Sequence, residues 1–116
     1  CIKGNTVIIG APYDDIGIDA QQGSADVYGF NGTSWLFQER LVASDGLPND
    51  NFGFSVTVEG NYAFAGAPND DVDANADQGS VYQFFYNGTN WLQQIWLECF
   101  YVLSLLCFWA AIFRSF

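Results

Sequence analysis

The chain contains the segment GNTVIIGAPYDD at residues 4–15 and a near copy, GNYAFAGAPNDD, at residues 60–71. The match extends without a gap from residues 4–41 to residues 60–97 at a constant offset of 56 residues, and 18 of the 38 aligned pairs are identical. A period of this length is too long for the common helical repeats and suits a unit of four strands. The sequence therefore predicts two related structural units.

Both units contain the residue patterns of β-strands separated by turns. Residues 6–9 form a β-branched run that ends at Gly-Ala-Pro, and residues 24–30 and 80–86 are rich in valine or aromatic side chains, as strands are. The latter two runs end in Asn-Gly, which predicts a hairpin with both residues at positive φ in a type I′ turn. No stretch before residue 95 has the period of an amphipathic helix. The predicted fold class is all-β, with antiparallel four-stranded blades of a β-propeller.

Two motifs in the second unit carry a family resemblance. Phe52-Gly53-Phe54-Ser55-Val56 followed by Gly66-Ala67-Pro68 resembles the pair of motifs that names the FG-GAP repeat, best known from integrin α-subunits. The resemblance covers residues 4–94 and also includes the segments ASDG (43–46) and GSVY (79–82), which are similar to the bacterial-type repeat. It implies propeller blades, extracellular or cell-surface exposure, and a binding or scaffolding role of the adhesion type.

The resemblance divides the chain into three parts. Residues 1–41 are expected to form a partial blade that lacks its first strand, residues 42–94 a nearly complete second blade, and residues 95–116 a hydrophobic tail. Because closed propellers typically have about 4–8 blades, two blades form an incomplete propeller. The expected partners are further propeller blades and a protein or glycan ligand. Trp35 and Trp91, which occupy equivalent positions, are expected to pack between blades rather than to stack on sugars.

Acidic residues are concentrated in the loop that follows each Gly-Ala-Pro. Oxygen ligands at every second residue are what the first positions of a calcium loop use, and in integrin-like blades this loop carries the calcium site. The resemblance therefore implies calcium in the second loop, although Ala76 stands where such loops usually have glycine. The first loop is a weaker candidate because it has lost two of the carboxylates. The predicted metal ligands are Asp71, Asp73, Asn75 and Asp77, with Asp15 and Asp19 as the weaker set.

Two other interpretations of these loops stay open. The paired acids Asp14-Asp15 and Asp70-Asp71 are also suited to accepting hydrogen bonds from local backbone amides after the proline, which requires no ion. Asp71 and Asp77 are alternatively the acid and base of a propeller hydrolase. The chain has no histidine and no recognisable pair of nucleophile and base, so the sequence predicts a protein that is not an enzyme and binds no catalytic cofactor.

Net charge excludes one class of partner. The chain has 13 acidic and 3 basic side chains and a formal net charge of −10. Nucleic-acid binding depends on lysine and arginine side chains that neutralise phosphates. Nucleic acid is therefore excluded as a partner.

The repeat breaks off after residue 94, and residues 99–113 contain no charged side chain. Three interpretations of this apolar tail stay open. Residues 95–113 approach the roughly 20 apolar residues of a membrane anchor, which would make the chain a membrane-tethered propeller fragment. The tail is alternatively an out-of-frame or aberrant segment without a selected structure. The third interpretation is a substitute strand or helix that packs over an open blade face.

Overall fold

The structure is a computed structural model that describes residues 1–71 and 76–98, with the backbone alone for residues 95–98. The described residues form two four-stranded antiparallel sheets, which confirms the all-β prediction. In the first sheet the strand order is β1-β2-β3-β4, with β1 (Ile2–Lys3), β2 (Thr6–Ala11), β3 (Ser24–Phe30) and β4 (Trp35–Leu41). In the second sheet it is β5-β6-β7-β8, with β5 (Ser55–Glu59), β6 (Tyr62–Ala67), β7 (Ser80–Tyr86) and β8 (Trp91–Glu98).

The two sheets follow the sequence repeat closely. Strands β2, β3 and β4 begin at Thr6, Ser24 and Trp35, and β6, β7 and β8 begin 56 residues later in each case. Each sheet also has a register shift between its last two strands, at residues 27/28 in the first and at residues 83/84 in the second. The bulge is therefore part of the repeated unit. Because a bulge bends its strand, both sheets are expected to bend at the same position.

Two strands differ from the sequence-based expectations. The partial unit has a short first strand, because Ile2 and Lys3 pair with Val7 and Thr6. Strand β8 continues four residues beyond Gln94, as far as Glu98, because β7 offers backbone partners along its whole length down to Ser80. Strand pairing depends on the backbone, so it continues where the sequence repeat does not. Cys99 and the residues that follow it lie outside the described residues.

The Asn-Gly hairpins also differ from the expected turn. Only the glycines, Gly32 and Gly88, have positive φ, so the prediction of a type I′ turn is wrong. The loop instead has four residues, and the side-chain Oδ1 of Asn31 accepts hydrogen bonds from the backbone N–H groups of residues 33 and 34. Asn87 does the same in the second sheet. The asparagine is therefore needed for its side-chain acceptor rather than for its tolerance of positive φ.

One hydrophobic core lies between the two sheets. Ile8 and Val27 project from the first sheet towards Val58, Ala65 and the other buried side chains of the second sheet, and all belong to a single buried cluster. Trp91 is only 4% exposed, and its Nε1 donates a hydrogen bond to Oε1 of Gln38 on the first sheet at 3.1 Å. The expectation that this tryptophan packs between the units is confirmed. Each sheet thus contributes one face to a shared core rather than a core of its own.

Candidate functional site

The segment that links β4 to β5, residues 42–54, fills the boundary between the sheets and is called the linking segment below. Its Phe52 is fully buried and makes edge contacts with Tyr82 and Phe84 of β7, at centroid distances of 5.4 and 6.0 Å. The backbone N–H of Phe52 donates to the carbonyl of Gln22 in the β2–β3 connection at 2.9 Å. One residue therefore joins the two sheets through its side chain and its backbone.

Gly53 makes the complementary contact with the Gly-Ala-Pro turns. Its N–H donates to the carbonyl of Gly66 at 3.0 Å. Its own carbonyl oxygen occupies the space that a β-carbon on Gly10 would need, and a β-carbon on Gly53 would collide with the backbone of Ser24. The Phe-Gly of the second unit thus packs against the Gly-Ala-Pro of both units. Glycine is required because the two backbones approach too closely for any side chain.

Asn51 brings the two acidic loops to the same edge of the molecule. Its Nδ2 donates to the carbonyl of Pro12 at 3.0 Å, and its Oδ1 accepts a hydrogen bond from Nδ2 of Asn69. Pro12 and Asn69 lie at the beginnings of the β2–β3 and β6–β7 connections, respectively. The two connections that contain the predicted metal ligands are therefore neighbours across the linking segment.

The predicted metal ligands are only partly described. Asp71 and Asp77 are both exposed, and Oδ1 of Asp71 accepts a hydrogen bond from the N–H of Asp77 at 2.8 Å. Asp15 has the equivalent bond with Gln21 at 2.9 Å, and Asp19 is half-buried in the same loop. Asp73 and Asn75 lie outside the described residues. Within residues 1–71 and 76–98, no group of three or more acidic, histidine or cysteine side chains is close enough to hold a metal ion.

In the described part of the second loop, one hydrogen bond joins two of the four predicted ligands, Asp71 and Asp77. The same bond also satisfies a backbone amide, as the alternative interpretation requires. It recurs in the first loop, where Gly17 replaces one carboxylate. The bond therefore belongs to the shared loop shape and does not by itself indicate an ion.

A second group of acids lies deeper, where the linking segment meets the second sheet, and sequence reasoning missed it. Asp50 and Asp70 are 4% and 5% exposed, and the backbone N–H of Asn69, next to Asp70, donates to the carbonyl of Asp50 at 3.3 Å. The hydroxyl of the buried Tyr82 is 2.7 Å from Oδ1 of Asp45 and 3.1 Å from Oδ2 of Asp70. We call Asp45, Asp50, Asp70 and Tyr82 the acid cluster. The residue that could have revealed this group is Asp50, which stands in the linking segment two residues before Phe-Gly.

Burial governs the protonation of the acid cluster. Desolvation raises the pKa of Asp50 to about 6, and the nearby carboxyl groups of Asp70 and Asp71 add to the rise, while the N–H of Leu47 opposes it. The pKa of Tyr82 is raised well above its usual range by burial and by its hydrogen bond to Asp45. Tyr82 therefore stays a neutral donor at physiological pH. Its one proton cannot fully satisfy both Asp45 and Asp70.

The first sheet contains a different arrangement at the equivalent position. Asp14, the counterpart of Asp70, accepts a hydrogen bond from the hydroxyl of Ser24 at 2.8 Å. It is also 3.0 Å from the guanidinium of Arg40, which makes two further hydrogen bonds to Asp26. The hydrogen bond and the charge of Asp26 raise the pKa of Arg40. The first sheet therefore neutralises its equivalent acid with an arginine.

Comparison with known proteins matches residues 35–85 to the FG-GAP repeat family. Residues 35–85 are an FG-GAP repeat. The matched segment begins with β4 of the first sheet, contains the whole linking segment and ends in β7 of the second sheet. The match suggests a β-propeller-type module, and each of the two described sheets has four antiparallel strands, which is consistent with propeller blades. Neither a curated protein nor a solved structure matches the chain with significance.

The outer surface of the first sheet is apolar. Ile2, Ile9 and Trp35 are 63%, 53% and 42% exposed, respectively. With two neighbours they line a shallow depression of about 280 Å³, which we call the open face: Ile2, Val7, Ile9, Tyr28 and Trp35. The positions 56 residues later in the FG-GAP unit are all buried against the first sheet: Val58, Ala63, Ala65, Phe84 and Trp91. The open face is thus the surface that a neighbouring blade covers in the second sheet.

A groove of about 430 Å³ lies at the opposite end of the sheets from the acidic loops, near the Asn-Gly hairpin of the first sheet. Asn5, Asn31, Asn61 and Gln38 contribute amide groups to its lining, and Tyr86 contributes an aromatic ring. None of its lining residues is charged, although the chain as a whole has a charge of −10. The groove is chemically suited to neutral polar groups rather than to ions.

The structure describes only the first four residues of the predicted membrane segment, residues 95–98. Residues 95–98 belong to β8, and residues 99–113 lie outside the described residues. Across the described ranges, the structure contains no helix with the length and apolar character needed to span a membrane.

Proposed function

We propose that the chain is a pair of blades from an extracellular or cell-surface β-propeller of the adhesion type, which binds a protein or glycan ligand and catalyses no reaction. The observation that carries the proposal is the open face, which is exposed in the first sheet while its counterpart in the second sheet is buried by a blade. An apolar sheet face of this kind favours association with another sheet. Further blades are therefore the first partners, and they would complete the ligand-binding surface.

Two further features support binding rather than catalysis. The groove at the hairpin end offers amide and aromatic groups without charge, which suits a protein surface or a neutral glycan. Asp71 and Asp77, the pair considered for hydrolysis, are both exposed, and Oδ1 of Asp71 accepts a hydrogen bond from the backbone N–H of Asp77. Neither has the apolar burial that usually keeps a catalytic acid protonated. Asp50 has such burial, but at 4% exposure it is closed to a substrate.

The open face predicts association of the 116-residue chain. Sedimentation velocity across a range of concentrations should show reversible self-association, and Ile9→Lys should shift the population to monomer. Lysine at this position would place a charge in the apolar contact, while thermal unfolding should change little because Ile9 is 53% exposed. Phe54→Lys is the matched control, since Phe54 is 61% exposed but lies outside the open face. Equal association of both variants, or a wild-type chain that stays monomeric, would contradict the proposal.

Calcium is the proposed stabiliser of the second acidic loop, with Asp71, Asp73, Asn75 and Asp77 as ligands. An ion that binds only the folded state raises stability by about 2.7 kcal/mol at a hundredfold excess over its Kd. Millimolar calcium should therefore raise the unfolding temperature by several degrees, and Asp73→Asn should abolish the rise. Glu59→Gln removes a carboxylate that is exposed and lies outside the loops, so it should leave the rise intact. An unfolding temperature that does not respond to calcium would remove the metal from the proposal.

A further inference from the structure

The second sheet has buried apolar side chains on both of its faces. Successive side chains of a strand project to opposite sides of a sheet, so the core residues of β6 and β7 alternate with residues of the other face. Ala63, Ala65 and Tyr82 belong to the buried cluster between the sheets, whereas Phe64 and Val81 are 6% and 8% exposed without belonging to it. We call the face opposite the core the covered face, and its paired residues on β6 and β7 are Tyr62, Phe64, Val81, Gln83 and Phe85.

The open face of the first sheet shows how exposed an uncovered sheet face is in this chain. Ile9 is 53% exposed there, and Val7 and Tyr28 are only half-buried. On the covered face, by contrast, Phe64 and Gln83 are 6% and 8% exposed. Side chains stand roughly perpendicular to a sheet, so neighbours in the same sheet do not shield them to this extent. A further layer of chain therefore lies over the covered face.

The described neighbours of the second sheet lie on its other side. The first sheet and Phe52 of the linking segment pack against the face that carries the shared core. Residues 72–75 of the β6–β7 connection are not described, but the counterpart of this connection in the first unit projects into solvent, since Ile18 is 99% exposed. The C-terminal segment is therefore the best candidate for the further layer.

The C-terminal segment also begins beside the deeply buried end of the covered face. Strand β8 ends at Glu98, which pairs with Ser80, the neighbour of Val81. Val81 is 8% exposed, whereas Leu92, which pairs with a covered-face residue near the hairpin, is 45% exposed. Residues 99–113 would extend about 22 Å as a helix, which is close to the length of a strand of seven residues. The segment thus has the reach to cover this face, starting at the end that is buried.

We propose that residues 99–113 fold back over the covered face of the second sheet and cap it in place of a following blade. The segment has no charged side chain, so it can be buried against apolar residues without leaving an unpaired charge. The first sheet shows what the cap replaces, because its counterparts of Phe64, Val81 and Gln83 are covered by the second sheet. These counterparts are Ile8, Ala25 and Val27.

The cap makes the chain one-sided, a consequence that rests on the proposed association through the open face. Two copies that meet through their open faces would present only capped faces outwards, and such a symmetric contact closes on itself. Sedimentation velocity at rising concentration should therefore show a pair of chains as the largest species. A continuing series of larger assemblies would overturn the cap. A chain that stays monomeric would contradict only the association, and the cross-linking experiment below then decides the cap by itself.

Photo-cross-linking of the 116-residue chain tests the cap directly. The photoreactive amino acid p-benzoylphenylalanine replaces Phe85, which is half-buried on the covered face. After irradiation and proteolysis, mass spectrometry should find cross-links from this position to residues 99–113 of the same chain. A mixture of isotope-labelled and unlabelled copies separates links within a chain from links between chains. Phe37 is the matched control position, because it is 57% exposed and contacts Tyr28 of the open face, and it should give no link to this segment.

Other occupants of the covered face would give different cross-links. Links from position 85 to residues 72–75 or to a second copy would overturn the proposal, as would equal links to the C-terminal segment from positions 85 and 37. If the chain with the replacement at Phe85 does not fold, the same experiment uses Leu92, which pairs with Phe85 and is 45% exposed. Flotation of the wild-type chain with phosphatidylcholine vesicles would also overturn the cap, because the segment would then be buried in lipid.

Discussion

Gly53 shows how much of the arrangement depends on single backbone positions. It has a φ of 90°, and a β-carbon there would collide with the backbone of Ser24 in the other sheet. Gly88 has a similar φ of 98°, but among the described residues other than its two chain neighbours, no atom lies within 4 Å of the position that its β-carbon would occupy. Substitution of Gly88 therefore tests backbone strain alone, whereas substitution of Gly53 tests backbone strain together with steric collision. The Phe-Gly motif in the sequence indicates that Gly53 is important. Only the tertiary structure shows that Ser24 is the residue with which a side chain at this position would collide.

At the residue scale, Gly53→Ala should be much more destabilising than Gly88→Ala. Alanine at positive φ costs on the order of 1 kcal/mol, and this cost applies to both variants. In Gly53→Ala the sheets must also move apart, so the total loss should exceed about 3 kcal/mol. Chemical denaturation of the two variants measures the difference. Equal losses would show that the close approach of the two backbones contributes nothing to stability.

At the scale of elements, the linking segment determines how the two sheets fit together. The segment is not a regular strand or helix, yet it contains the fully buried Phe52, the bridging side chain of Asn51 and the buried carboxyl group of Asp50. It also separates the two acidic loops and holds them at the same edge. Sequence periodicity identified the strands on either side because alternating apolar residues are a local signal. The role of the segment depends on contacts 18 to 39 residues away in the chain, which no local pattern reveals.

Phe52 and Phe54 provide a matched pair that tests this role. Phe52→Ala should lower the free energy of unfolding by about 3–5 kcal/mol, because it empties a buried position between Tyr82 and Phe84. Phe54 is 61% exposed, so Phe54→Ala should change the free energy by no more than about 0.5 kcal/mol. Urea unfolding of both variants provides the comparison. A small effect of Phe52→Ala would mean that the sheets hold together without the linking segment.

At the scale of the whole molecule, charge and apolar surface act in opposite directions. A net charge of −10 keeps copies of the chain apart, whereas the open face favours association with another sheet. Added salt screens the charge repulsion, with a Debye length of about 8–10 Å at physiological ionic strength. It does not weaken the association through the apolar open face. The association expected for the open face should therefore strengthen as salt is raised, which sedimentation at two salt concentrations measures.

The sequence by itself determined the repeated unit, its strands and the all-β fold, because strand periodicity, Asn-Gly turns and the 56-residue offset are all visible along the chain. It also identified the acidic loops, since acids close together in sequence stay close together in space. The tertiary structure alone decided that Asp50 and Asp70 are both buried, that Arg40 neutralises Asp14, and that the apolar faces of the two sheets differ in exposure. The physical reason is that burial and charge pairing depend on which surfaces meet. Two units with the same arrangement of strands have different surroundings once one of them is packed against the other.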